Sequence, residues 1–142
     1  MLIAFNKPYG VLSQFNSNPG DIGQRTLKEF DFPPKVLPLG RLDMDSEGLL
    51  LFTDEKALEN KLLHPRFQHR RRYLTLVEGV PDEAAMSELR SGKLVIKGHR
   101  CLPCRAKILK QAPDIPDRDP PVRVRKQIID TWLRLELREG KN

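Results

Sequence analysis

Four stretches of the chain carry the hydrophobic pattern of β-strands. Leu49 to Thr53 is a short, nearly continuous apolar run, which is typical of a buried strand, and Leu2 to Phe5 is a second run of this kind. Tyr73 to Gly79 has the same character, and Thr131 to Arg138 alternates so that its three leucines share one face. These runs predict a sheet as the main element of the fold.

Three segments predict helices that pack beside this sheet. Thr26 to Glu29 has the form of a capping box and opens a short helix. Asp54 is a suitable cap for a second helix, and Pro81 to Arg90 predicts a third with Ala85, Met86 and Leu89 facing inward. We therefore predict a mixed α/β (α+β) fold with a largely antiparallel sheet and flanking helices. We expect an N-terminal lobe of about residues 1–39 and a larger lobe of about residues 40–142 around a cleft.

Composition and charge narrow the class of protein. The 142 residues are 39% hydrophobic and 31% charged, which suits a single globular domain. The net charge of +6 favours a polyanionic partner without naming it. The apolar start, Met1 to Phe5, is too short for a signal peptide, and no stretch is long enough to span a membrane. We therefore expect a cytoplasmic protein without membrane contact.

A charged loop bracketed by Gly40 and Gly48 leads into the strand at Leu49 to Thr53. A glycine-bounded loop before a core strand is suited to holding a carboxylate rigidly. Asp43 is the candidate for that carboxylate, and in an extended segment Arg41 would point to the same side. We place the chemistry of the protein in this loop.

The same loop also resembles a calcium-binding loop. Asp43, Asp45, Glu47 and Gly48 fall on positions that such a loop uses, and Asp54 falls on its last position. The flanks argue against calcium, because several prolines precede the loop and an entering helix could not pass through them. We therefore expect no metal at this site.

Cys101 and Cys104 form a Cys-x-x-Cys pair that has two functional interpretations. A zinc site would need four ligands, and His99 is the only other ligand type close by in the sequence. A redox pair should lie at the start of a helix, whereas Pro103 lies in an extended, basic segment. The simpler prediction is that these are two ordinary cysteines, which neither bind a metal nor act as a redox pair.

Arginines and aromatic residues are interleaved from Arg66 to Tyr73. Such runs are commonly solvated surfaces, but stacking on bases and contact with phosphates require this mixture. Tyr73 is therefore either a core aromatic of its strand or a stacking residue.

Several segments together resemble the pseudouridine synthases that modify ribosomal RNA. They are Lys7-Pro-Tyr-Gly10, the Gly40-Arg-Leu-Asp43 loop with its following Gly-Leu-Leu-Leu, Tyr73 after a basic residue, and Asp119-Pro-Pro-Val-Arg followed by Thr131-Trp-Leu. The resemblance covers essentially the whole chain and extends to the branch that modifies 23S rRNA, the large-subunit pseudouridine synthase E group. Arg71 stands where the family more often has lysine.

The resemblance implies an isomerase that needs no cofactor and acts on ribosomal RNA, with 23S rRNA as the expected partner. It implies that Asp43 is the catalytic carboxylate and that Tyr73 stacks on the target base. Arg41 would fill the space that the base vacates or pair with a phosphate; otherwise it forms a plain surface pair with Asp43. The basic side chains expected to contact RNA are Lys7, Arg66, Arg70, Arg71, Arg72, Arg123, Arg125 and Lys126.

Two other functions fit parts of this pattern. A non-catalytic RNA-binding module would keep the basic groove without any chemistry at Asp43. A glycosidase with a pair of carboxylates would act on a sugar polymer, but the net charge of +6 makes such a substrate less natural.

The last residues resemble only the beginning of the family's third motif. Glu139 to Asn142 match that beginning, and no residue matches the basic residue that would pair with Asp43. We therefore expect the chain to be C-terminally incomplete and weakly active or inactive. We also expect the strand from Leu133 to Leu137 to form an uncovered edge through which the chain could self-associate.

Overall fold

A computed structural model describes residues 1–123 and 126–140, and the chain divides into two compact units. The first unit consists of Met1–Phe67 with Asp117–Val122, and the second of Gln68–Pro116 with Arg123–Asn142. The charged loop and the strand after it therefore belong to the first unit, whereas the sequence analysis assigned them to the larger lobe.

Short strands and a helix build the first unit. They are β1 (Leu2–Lys7), β2 (Val11–Leu12), β3 (Arg25–Thr26), β4 (Leu37–Pro38), β5 (Gly48–Thr53) and α1 (Lys56–Leu63). An antiparallel sheet has the order β1-β5-β4, and β2 pairs with β3 in parallel. Single 3-10 turns lie at Pro19–Asp21, Leu27–Glu29 and Pro65–Phe67.

The core of the first unit is rich in phenylalanine. Leu50 and Phe52 of β5 are buried, as the apolar run predicted. Phe32 stacks on Phe52 with 4.2 Å between ring centroids, and Phe5 of β1 lies edge-on to both. Because these rings pack against β5, the loop that precedes β5 leads into a firmly packed strand.

The second unit has a longer sheet. Its elements are β6 (Arg71–Glu78), α2 (Glu83–Arg90), β7 (Val95–Ile96), β8 (His99–Arg100), β9 (Arg105–Ile108) and β10 (Asp130–Leu137). The antiparallel sheet has the order β6-β10-β9, and β7 pairs with β8 as a separate hairpin. Its core contains Met86 of α2, Ala106 of β9 and Leu133 of β10. The predicted α+β class with mainly antiparallel pairing is confirmed.

The prediction of an uncovered edge at Leu133–Leu137 is wrong. β10 is the central strand of its sheet, paired with β6 along its whole length and with β9 from Leu133 to Glu136. The partner β9 lies more than twenty residues earlier in the chain, so the alternation within β10 carried no information about it. Self-association of the chain remains a prediction without this support.

Two helix details also differ from the prediction. Asp54 does not cap α1; its carboxylate accepts a hydrogen bond from the Met1 ammonium at 2.7 Å, which holds the pKa of Asp54 below its usual value. On α2, Met86 is buried and Leu89 half-buried, as expected, whereas Ala85 is exposed. Among the described residues, no helix combines the length and the apolar character needed to cross a membrane.

Candidate active site

Asp43 lies in the loop between β4 and β5, and its side chain is exposed. Arg41 is exposed as well, whereas Leu42 between them is half-buried against the core of the first unit. The Ser13 hydroxyl donates to the Leu42 carbonyl at 2.7 Å and accepts from the Leu42 N–H at 3.0 Å. With Leu42 held inward on both sides, its two charged neighbours face the solvent.

The backbone after Asp43 is fixed by further hydrogen bonds. The Ser46 N–H donates to the Asp43 carbonyl at 3.1 Å, and the Gly10 N–H donates to the Met44 carbonyl at 2.8 Å. The glycines that bracket the loop have φ angles of 83° and 114°, which residues with side chains rarely adopt. The loop therefore presents an exposed carboxylate on a constrained backbone.

Lys7 links this loop to the turn that follows β1. Its side chain is fully buried, at 0% exposure. The Lys7 ammonium donates to the carbonyls of Val11 at 2.7 Å, Pro8 at 3.0 Å and Met44 at 3.5 Å. The prediction that Lys7 contacts RNA is wrong for this structure, because backbone carbonyls take its donors and no part of the side chain reaches the surface.

The acidic residues of the loop act on the charge of Lys7. Burial lowers the pKa of Lys7, while the carboxylates of Asp45, Glu47 and Asp43 oppose that effect and raise it. Asp45 and Glu47 thus stabilise a buried cation that holds their own loop. This gives Asp45 and Glu47 a structural role that acts through Lys7.

A segment from the second half of the chain covers the same turn. The Arg118 guanidinium lies 4.1 Å from the ring centroid of Tyr9, within the range of a cation–π contact. Arg118 also donates to the carbonyls of Pro120 at 2.7 Å and Pro121 at 3.2 Å. The contact with Tyr9 joins Asp117–Val122 to the rest of the first unit. Sequence analysis missed Arg118, because no local pattern links it to Tyr9.

Tyr73 lies on β6 in the second unit and is half-buried. It pairs across the sheet with Leu135, which in turn pairs with Ala106. Since directly paired residues project from the same face, Tyr73 lies on the face that carries the core of this unit. A half-buried ring on this face can serve as a core aromatic of its strand and can also offer its exposed part to a base.

The basic residues predicted to contact RNA differ in exposure. Arg71 is half-buried, and Arg125 lies outside the described residues. The exposed ones are Arg66, Arg70, Arg72, Arg123 and Lys126. Sequence analysis did not single out three further cations on the second sheet, Arg105, Lys107 and Arg134. The alternation of Arg105 and Lys107 around the buried Ala106 is the signal that could have identified the first two.

The cysteine pair has no special partner in the described part of the chain. Cys101 and Cys104 are free and half-buried. The Cys104 thiol donates to the Leu89 carbonyl at 3.3 Å, and burial raises its pKa. Within residues 1–123 and 126–140, no three His, Cys, Asp or Glu side chains are grouped in a way that could hold a metal ion.

Comparison with known proteins gives a consistent result. A family model described as RNA pseudouridylate synthase matches residues 1–142. The ribosomal large subunit pseudouridine synthase E of Xanthomonas axonopodis pv. citri (strain 306) is 47% identical over 142 residues, which are 100% of this chain and 74% of that protein. The protein of the same name from Vibrio vulnificus (strain CMCP6) is 41% identical over 99% of this chain and 58% of its own length.

A solved structure shares the fold. It is described as a crystal structure of pseudouridylate synthase and matches with a TM-score of 0.72 at 24% identity. The match covers 99% of this chain and 52% of that one. The chain thus spans between about half and three quarters of the length of these three proteins.

The first prediction concerns the buried cation. Replacing Lys7 by methionine keeps the length of the side chain but removes the ammonium donor from the carbonyls of Pro8 and Val11, and one of two donors from the carbonyl of Met44. We expect the free energy of unfolding to fall by about 1–3 kcal/mol, as measured by urea denaturation. Lys28→Met, at an exposed position of the same unit, is the control and should change stability little. Equal stability of the two variants would contradict the role given to Lys7.

The second prediction concerns pH. Because burial lowers the pKa of Lys7 below its ordinary value of 10.5, the unfolded chain binds this proton more tightly. Stability contributed by Lys7 therefore rises with pH, in the window between its folded pKa and 10.5. The difference in unfolding free energy between wild type and Lys7→Met should accordingly grow in favour of wild type as pH is raised through this window. A difference that shrinks would show that the pKa is not lowered.

Proposed function

The chain belongs to the RNA pseudouridylate synthase family, and we propose that it isomerises a specific uridine of 23S ribosomal RNA to pseudouridine. Asp43 is the proposed catalytic carboxylate. The observation that carries this assignment is an exposed carboxylate on a loop whose backbone is hydrogen-bonded on both sides. Acting on ribosomal RNA, the protein would work in the cytoplasm.

The reaction sets the chemical requirements of the site. The C1′–N1 bond of the uridine breaks, the base turns, and C5 forms the new bond to C1′. No electrons and no groups are exchanged with another molecule, so the reaction itself requires no cofactor. It requires a carboxylate near C1′, which acts either as a nucleophile or as the base that removes a sugar proton. An exposed Asp43 on a constrained backbone serves both versions.

A uridine in folded RNA must leave its stack before a carboxylate can reach the sugar. We assign to Arg41 the task of filling the vacated space or pairing with a phosphate. The exposure of Arg41 and its place two residues before Asp43 support this assignment. Tyr73 is the proposed stacking partner of the extruded base, and its half-buried ring leaves surface for that contact.

Phosphate contacts come from the basic residues around the start of β6 and near residue 123. Arg66, Arg70 and Arg72 are exposed, and Arg66 lies 4.6 Å from the ring centroid of Phe67. A mixture of exposed guanidinium groups and an aromatic ring suits contact with single-stranded RNA. Arg71, Arg123, Arg125 and Lys126 complete the proposed set.

The third prediction tests the catalytic carboxylate in cells. Pseudouridines are mapped in 23S rRNA from cells that lack the protein and from the same cells supplied with wild type, Asp43→Asn or Asp45→Asn. We expect one site to lose its pseudouridine, and wild type expressed from its natural gene to restore it. Asp43→Asn should fail to restore it although fold and RNA affinity are kept. Asp45→Asn, the matched change in the same loop, should retain a rate within about tenfold of wild type.

Two outcomes would contradict the proposal. If no pseudouridine is missing without the protein, an RNA-binding role without chemistry becomes the better explanation. If purified Asp43→Asn isomerises RNA within about tenfold of wild type, less than about 1.4 kcal/mol of barrier depends on Asp43, and another residue must be the catalytic one.

The fourth prediction separates stacking from packing at Tyr73. Tyr73→Phe keeps a ring, whereas Tyr73→Leu keeps only apolar volume. Stacking on a base is worth about 1–3 kcal/mol, so Tyr73→Leu should isomerise RNA roughly 5- to 150-fold more slowly than Tyr73→Phe. Thermal unfolding of both variants is the control for packing beside Leu135. Equal activity of the two variants would leave Tyr73 as a core residue of its strand.

A further inference from the structure

The sheet of the second unit has one covered face and one open face. Ala106 and Leu133 lie on the covered face, where they pack with Met86 of α2. Because side chains alternate along a strand, the neighbours of these residues project from the opposite face. The cations of that open face, here named the basic face, are Arg72 of β6, Arg134 of β10, and Arg105 and Lys107 of β9.

Strand register brings the cations of the basic face into two adjacent rows. In the first row, Glu136 of β10 lies between Arg72 and Arg105. In the second row, Arg134 lies between Leu74 and Lys107. Directly opposed residues in antiparallel strands have neighbouring side chains, so the two rows form one continuous surface.

Glu136 is the centre of the first row. Its carboxylate lies 3.4 Å from Arg72, 3.8 Å from Arg105 and 3.9 Å from Arg70, and its side chain is only 13% exposed. The three guanidinium groups surround one anion, and the side chains of Arg72 and Arg105 are 66% and 70% exposed. Loose pairs at exposed positions contribute little stability. One carboxylate therefore orders three cations without neutralising them.

The opposite end of the open face carries two acidic residues. Asp130 and Glu78 are paired there, six residues along β10 from Glu136. At about 3.4 Å per residue, they lie roughly 20 Å away. The cations of this face are therefore concentrated at the end near Glu136, which is where a polyanion would be attracted.

We propose that the basic face binds the phosphate backbone of the RNA substrate, outside the residues that act on the target uridine. Charge complementarity identifies the partner, since this end of the face carries four cations and a single anion, Glu136, and so suits a chain of phosphates. The exposed Leu74 lies among these cations and offers an apolar contact to a base or sugar. This inference rests on the proposed function for the identity of the polyanion as ribosomal RNA.

Salt-dependent binding of a 23S rRNA fragment to the full chain tests the surface. The double variant Arg105→Gln/Lys107→Gln removes two exposed cations of the basic face, and Lys28→Gln/Lys93→Gln removes two exposed cations elsewhere. The first should flatten the slope of log affinity against log salt by about 1.4 to 1.8, at roughly 0.7 to 0.9 for each lost phosphate contact. The second should leave the slope nearly unchanged.

Glu136→Gln should change RNA affinity in the opposite direction to the loss of cations. It removes the anion at the centre of the basic face and keeps the shape of the side chain. We expect RNA to bind roughly two- to fivefold more tightly at low salt, because a negative charge that repels the phosphates is lost and its effect is of the size of a weak ion pair. A merely structural Glu136 would give weaker or unchanged binding, and that result would overturn the proposal. If Glu136→Gln does not fold, the comparison of the two double variants decides.

The same samples separate this inference from the proposed function. Equal salt slopes for the two double variants would contradict RNA binding by the basic face, even if wild type isomerises the fragment. A flatter slope for Arg105→Gln/Lys107→Gln would support the basic face, even if wild type forms no pseudouridine in any RNA. In that second case the proposed function would fail and the surface would stand as an RNA-binding site.

Discussion

A buried positive charge is the constraint on which the proposed active site depends. The Lys7 ammonium has lost its water and donates instead to carbonyls of two segments, at Pro8 and Val11 and at Met44. A buried ion without partners costs several kcal/mol. The loop of Asp43 therefore cannot move away from Lys7 without leaving part of that charge unsatisfied. The position of an exposed carboxylate is thus determined by a cation that never reaches the surface.

Strand pairing brings Lys7 to this place. Lys7 is the last residue of β1 and lies opposite Gly48, the first residue of β5, so the acidic loop enters its strand beside the lysine. A slip of one residue in this pairing would turn Lys7 to the other face. Leu50 and Phe52 prevent the slip, because it would also expose them. The register that buries the core therefore also places the loop of Asp43.

The parts that could be predicted from sequence are those that depend on local pattern. The apolar run of β5 and the alternation of β10 identified both strands, and the charged loop with Asp43 identified the candidate site. Lys7 was misjudged because a lysine beside proline and glycine has the local appearance of a surface turn. Its burial follows from the pairing of β1 with β5, more than forty residues apart. The contact of Arg118 with Tyr9 was missed for the same reason.

The two units meet different physical demands. Chemistry at C1′ depends on a carboxylate held near one position, because small displacements of a reacting group slow catalysis greatly. The loop of Asp43 has hydrogen bonds on both sides that suit this demand. Contact with phosphates depends mainly on charge and tolerates mobile side chains. Arg72 and Arg105, which are mostly exposed and loosely paired with Glu136, suit that second demand. Substitutions in the first unit should therefore act on the rate of isomerisation, and substitutions on the basic face should act on affinity and its salt dependence.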